Sequence, residues 1–197
     1  MSIKIVTLCG SVRPGNYTAM ALELVHDEFR KLPGVELIPL RLDGLELPLP
    51  GLPAKNPDAI AQFQETVASA TGVLLASPEY HGGISSPMKL AIDNLGFPSK
   101  LAGKPISLLG VAAGTIGAIK STEQLRAICA HIGAVPLPLA VSVANVQQVF
   151  DAEGHCLDAG TEKFIRRAAR NLIDYINDAV CPKLSLEAIL RGRAEED

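Results

Sequence analysis

Apolar residues along this chain recur in two alternating rhythms. Residues 3–9 (IKIVTLC) form a short run rich in β-branched side chains, as a strand buried on both faces requires. A turn over residues 10–16 follows, and from Thr18 the period lengthens. Leu22, Val25, Phe29 and Leu32 recur at three and four residues, which predicts an amphipathic helix ending near Pro33-Gly34. Residues 35–41, 72–77, 104–113 and 134–141 read as four further strands. Between them, Ile60, Phe63 and Val67 mark a second helix, Met88, Ala91, Ile92 and Leu95 a third, and Leu125, Ile128, Cys129 and Ile132 a fourth. A last helix is predicted over about 159–178.

One stretch breaks the alternation. Residues 42–57 (LDGLELPLPGLPAKNP) carry Pro48, Pro50, Pro53 and Pro57, a density that no regular element survives. Leu45, Leu47, Leu49 and Leu52 in this loop are not all expected to face water, so the loop should pack on something. The chain end, residues 181–197, reads as a charged tail with little to bury, and frayed at RGRAEED.

Strands alternating with helices predict an α/β domain, a parallel sheet with helices on both faces. Right-handed crossovers leave a Rossmann-type or a flavodoxin-type winding. Both put ligands outside the carboxyl ends of the strands, near the switch point. The loops after strands one, three and four therefore become the candidates for function.

Composition narrows the classes. A chain of 197 residues fits one domain, expected over residues 1–180, and can bury a core without staples. Hydrophobic residues make up 48% and charged residues 20%, which excludes a disordered chain. The formal charge of -3, with no basic run, argues against nucleic acid as a partner. No apolar stretch has transmembrane length, and the N-terminus does not read as a signal peptide, so no membrane association is expected. Cys9, Cys129, Cys156 and Cys181 form no C-x-x-C pair, which fits a cytoplasmic protein with unpaired thiols. The four histidines are scattered, and no metal site is expected. The G-x-S-x-G, H-E-x-x-H and Walker A signatures are absent.

The loop after strand one, Gly10-Ser11-Val12-Arg13-Pro14-Gly15-Asn16-Tyr17-Thr18, lacks the dinucleotide fingerprint G-x-G-x-x-G. It gathers hydrogen-bond donors instead: the Ser11 and Thr18 hydroxyls, the Asn16 amide and the Arg13 guanidinium. It ends where a helix begins, and free N–H groups there favour an anion. A guanidinium fork suits a phosphate. Singly, Thr18 could be a helix cap, Asn16 a turn residue and Arg13 a solvated charge. Together they point to a terminal phosphate monoester. The loop after strand three, Ser77-Pro78-Glu79-Tyr80-His81-Gly82-Gly83-Ile84-Ser85-Ser86-Pro87, offers two glycines that let backbone approach a flat ligand, and an aromatic face at Tyr80.

These two segments, with Lys89 and Ile92-Asp93 at the family's distance, resemble the NAD(P)H-dependent FMN reductases, a group that includes quinone, chromate and azo reductases. The resemblance runs over roughly residues 3–178. It implies a flavodoxin-like three-layer sandwich with a five-stranded parallel sheet in the order 2-1-3-4-5. It also implies FMN as cofactor and NADPH or NADH as reductant, with a quinone, free flavin or other small electrophile as acceptor. Ser11, Arg13, Asn16, Tyr17 and Thr18 would hold the FMN phosphate. Pro78, Glu79, Tyr80, His81 and Gly82 would run along the isoalloxazine ring, and Gly114, Thr115 and Ile116 would close its other side. The chain departs from the family pattern in having Asn16 where Ser is usual, His81 where Asn is commoner, and Asn94 where Trp is frequent. A homodimer or homotetramer is implied, with the third and fourth helices at its interface. The proline loop would be a further candidate for that surface. No catalytic acid or base is expected, because the cofactor carries the hydride chemistry. Glu79 is expected to shape its turn by accepting backbone hydrogen bonds. A flavodoxin-like electron carrier is the alternative reading. Against it stand the modest charge and the few loop aromatics.

Overall fold

A computed structural model of the chain describes residues 2–194. Three strands form the centre of a parallel sheet: β1 (Ile3–Cys9), β3 (Gly72–Tyr80) and β5 (Pro105–Val111). Their apolar runs are buried almost throughout, as strands covered on both faces must be. β2 (Val35–Arg41) lies outside β1 on one edge and alternates between half-buried and exposed positions. The fifth strand predicted over 134–141 comes as two short pieces, β6 (Val135–Pro136) and β7 (Val141–Val143). Both pair parallel with β5 along the other edge. Pro136 and Pro138 cannot donate to the ladder, and Leu139 adopts a left-handed φ of 63°, so the strand breaks between them. With β6 and β7 counted as one strand, the order is the expected 2-1-3-4-5, a flavodoxin-like sandwich.

Two helical layers cover the sheet. α1 (Tyr17–Arg30) and α6 (Ala159–Tyr175) bury Leu22, Val25 and Phe29 against Ile165, Ala169 and Leu172 on one face. α2 (Pro57–Ala68), α3 (Ser86–Asp93) and α4 (Ile119–His131) bury Phe63, Met88, Ile92 and Leu125 on the other. Ion pairs join α1 to α6. Arg170 donates to Glu28 at 2.7 Å, and Arg166 bridges Asp27 of α1 and Glu162 of its own helix. The Arg170 hydrogen bond holds the Glu28 carboxyl below its ordinary range, against the opposing effect of desolvation.

The structure departs from the sequence pattern at three places. A short helix, α5 (Val146–Val149), follows β7. The last helix does not stop near 178: one wider π-helical turn, Ile176–Val180, leads into α7 (Cys181–Ala194). The wide turn sits just ahead of Pro182, whose missing N–H and bulky ring would otherwise break the ladder. Most of the expected tail is thus helical, and its last residues, 195–197, lie outside the described residues. In the proline loop, Leu45 and Leu47 pack on the core beneath α2, α3 and α4 while Leu49 and Leu52 stay exposed. Asn94 donates to the Pro48 carbonyl at 3.0 Å and ties this loop to the end of α3.

Candidate functional site

The carboxyl ends of β1, β3 and β5 open into one cavity of about 270 Å³. Its first wall is the loop after β1. Gly10 starts that loop where no side chain fits: a Cβ there would lie 2.9 Å from Ser85 Oγ and 3.0 Å from the Ala76 carbonyl oxygen. Ser85 Oγ donates to the Gly10 carbonyl at 2.6 Å and locks the loop to the start of α3. Asn16 is the N-cap of α1. Its Oδ1 accepts from Ala19 N at 2.8 Å, and its Nδ2 donates to the Arg13 carbonyl at 2.6 Å. The Asn16 side chain is therefore committed to shaping the turn, although it lines the cavity.

Ser11 and Arg13 supply uncommitted donors on this wall. Ser11 Oγ is buried and has no hydrogen-bond partner in the protein. The Arg13 guanidinium is exposed and pairs with no carboxylate among the described residues. A buried hydroxyl without a partner costs stability unless a ligand supplies one. Both donors border the cavity together with Tyr17 and Thr18 in the first turn of α1. That placement fits an anion with several oxygens, such as a phosphate monoester.

The second wall is strand, not loop. β3 continues past Ser77 through Pro78, Glu79 and Tyr80, then reverses at His81-Gly82 into the two-residue strand β4 (Gly83–Ile84). His81 and Gly82 have φ of 51° and 73°. Positive φ at both central residues belongs to a tight hairpin turn, where Asn, Asp or His followed by Gly is tolerated best. The hairpin is pinned to α4: Glu79 Oε2 accepts from Ser121 N at 3.0 Å and Gln124 Oε1 accepts from Ile84 N at 2.8 Å. Glu79 thus fills its expected role and supplies the negative charge that the first turn of α4 favours.

Ser11, Arg13, Asn16, Tyr17, Thr18, Pro78, Glu79 and Tyr80 all line the cavity. His81, Gly82, Gly114, Thr115 and Ile116 do not; all five are exposed. Beside β5 the wall is made instead by Val111, Ala112 and Ala113, immediately before Gly114, and by Val146 of α5. Val146 carries no sequence signal for a site, although the loop after the fifth strand reaches the same edge. Behind the first wall, Cys9 donates its thiol to the Ser11 carbonyl, and burial pushes its pKa up. It stays protonated as a structural donor. His26, also buried, meets Thr7 Oγ1 at 2.8 Å, and burial lowers its pKa.

The chain that builds these two walls matches a described group of proteins in sequence. The sequence model for NADPH-dependent FMN reductases fits residues 3–148. The chain belongs to this family. It is 28% identical to an NAD(P)H-dependent FMN reductase of Pseudomonas aeruginosa, over 86% of this chain and 93% of that one. It is 30% identical to a quinone reductase of Escherichia coli K12, over 81% of this chain and 87% of that one. Among solved structures, the flavoenzyme FerB of Paracoccus denitrificans, an NAD(P)H:(acceptor) oxidoreductase, shares the fold. Its TM-score is 0.74 at 22% identity, covering 89% of this chain and 97% of that one. The loops after β1 and β3, which form the two walls of the cavity, lie within the matched residues.

Proposed function

We propose that this member of the FMN reductase family is an FMN-dependent NAD(P)H oxidoreductase acting on quinones or related small electrophiles. The observation that carries the reading is the buried, unpartnered Ser11 Oγ beside the free Arg13 guanidinium, at the mouth of α1. Ser11, Arg13 and the first-turn N–H groups of Tyr17 and Thr18 would hold the FMN phosphate, while Asn16 shapes their turn. The Pro78–Gly82 segment would lie along the ring, its N–H groups fixed in place before any ligand arrives. When bound, FMN supplies the two-electron chemistry, taking hydride from NAD(P)H and passing it to the acceptor.

The protein's part is positioning and electrostatics. Glu79 and Gln124 hold the hairpin rigid against α4, so its dipoles need not reorganise as negative charge develops nearby. Gly114, Thr115 and Ile116 would close over the ligand from the β5 side. The named activities of the Pseudomonas and Escherichia relatives support the choice of donor and acceptor.

The same reading includes a homodimer. Phe97 is fully exposed at the edge of an apolar groove of about 770 Å³, which runs between the end of α3 and Ile128 and Ile132 at the end of α4. A surface of that kind fits a second copy of the chain related by a two-fold axis. Cytoplasmic residence belongs to the proposal too, supported by four free cysteines. No helix among the described residues is long and apolar enough to cross a membrane.

Steady-state reduction of a benzoquinone by the FMN-loaded protein tests the activity. NADPH-dependent turnover that disappears on removal of FMN is expected. A flavin-loaded protein that reduces no quinone with either nicotinamide would overturn the enzyme reading in favour of a carrier.

A further inference from the structure

Lys120 sits in the first turn of α4, at the positive end of that helix. A cation in that position is opposed by the helix dipole. No hydrogen bond or ion pair of Lys120 offsets this, neither with Glu79 nor with Glu123 or any other described residue. The side chain instead lies across the hairpin turn. A Cβ at Gly82 would be 3.3 Å from Lys120 Cδ and 3.7 Å from its Nζ. The lysine therefore packs on the one residue of the turn that has no side chain to obstruct it.

The surroundings define what this ammonium could meet. Tyr80, just before the turn, is nearly half exposed, and Ile116 and Ile119 stand exposed on the approach to α4. The surface around the hairpin turn thus combines apolar side chains with one cation that makes no ion pair among the described residues. Arg13, also without a carboxylate partner, stands on the cavity's opposite wall. The first wall takes the phosphate of the bound flavin in the reading above, which leaves Lys120 without a ligand there. A ligand suited to this surface carries flat rings and, at a distance from the reacting ring, phosphate oxygens.

We propose that Lys120 binds the phosphates of the incoming nicotinamide dinucleotide and so positions the hydride donor over the hairpin. This assignment rests on the oxidoreductase reading above. Lys120 acts by charge and reach, with no proton transferred.

The test is calorimetric titration of the FMN-loaded protein with the redox-inert probes NADP+ and NAD+, for wild type, Lys120→Ala and Lys120→Arg. Lys120→Ala is expected to raise the Kd about tenfold or more, as loss of a charge-assisted hydrogen bond should. It should also flatten the salt dependence of binding. Lys120→Arg should restore most of the affinity, and the Kd for FMN should not move in either variant. Equal losses for NADP+ and NAD+ support contact with the pyrophosphate, and a loss confined to NADP+ supports contact with the 2′-phosphate. An unchanged Kd for both probes in Lys120→Ala overturns the assignment. Wild-type flavin that bleaches with NADPH alongside that result leaves the oxidoreductase reading standing. Flavin that fails to bleach in the wild type counts against that reading itself.

Discussion

Replacing Ser11 with Ala separates a ligand-binding role from a structural one. Most buried hydroxyls hold some part of the fold, and deleting them destabilises the protein. Ser11 Oγ is buried with no protein partner, so the fold loses no internal hydrogen bond when it goes. Removing an unpaired buried hydroxyl recovers up to about 1–3 kcal/mol of desolvation. For a chain of this size each kcal/mol moves the thermal midpoint by about 2–4 °C. The flavin-free variant should therefore unfold at the same temperature as wild type or a few degrees higher. Binding should change in the opposite direction. A hydrogen bond to a charged acceptor contributes about 1.5–3 kcal/mol, so the FMN Kd should rise about 10- to 150-fold. Riboflavin, which has no phosphate, supplies the control, and its Kd should not change. Scanning calorimetry of the flavin-free protein and fluorescence titration with both flavins measure all three quantities. A lower midpoint, or equal losses for FMN and riboflavin, would refute the assignment of Ser11 to the phosphate.

Other outcomes follow from the same geometry. Arg13→Ala should weaken FMN by a comparable factor, measured in the same titration, and leave the midpoint within about 1 °C, since its exposed guanidinium makes no hydrogen bond or ion pair among the described residues. Gly10→Ala should destabilise the protein by about 1–3 kcal/mol, read by urea denaturation, because its Cβ would press on Ser85 Oγ, the Ala76 carbonyl and Met88. The depressed Glu28 pKa stabilises the fold above the unfolded value of about 4.3, and that stability is lost as pH falls through the folded value. Arg170→Gln should thus be less stable than wild type at neutral pH, with the gap in unfolding midpoints closing between about pH 5 and pH 3. A gap constant across that range would contradict this account. Phe97→Glu should convert a dimer to monomers by sedimentation velocity, without changing the thermal midpoint of the monomer by more than about 1 °C, since Phe97 is fully exposed in the single chain.

Much of the fold was legible because the central strands are covered on both faces. Continuous apolar runs at 3–9, 72–77 and 104–113 have few other readings, and the helical stripes between them fix the alternation. The pattern was weaker where tertiary contacts overrule local signals. Pro78 ended the apolar run, yet β3 continues through Tyr80 because the β4 hairpin and α4 hold it extended. The last helix, expected over about 159–178, runs on because a wider turn carries the chain past Pro182. The polar wall of the cavity was readable from Ser11 and Arg13, whose donors remain free. Asn16 resembled them in chemistry but was spent on the cap, a distinction only the hydrogen bonds reveal. Gly114, Thr115 and Ile116 follow directly on the wall, which ends at Ala113, and stand exposed beyond it.

The most direct test of the central claim is an anaerobic reductive titration. Flavin-free protein is mixed with FMN, and NADPH and then NADH are added while the visible spectrum is followed. Binding should perturb the FMN spectrum, and stoichiometric NADPH or NADH should bleach its visible absorbance fully. Absence of FMN binding, or a bound flavin that neither nicotinamide bleaches, would contradict the central claim.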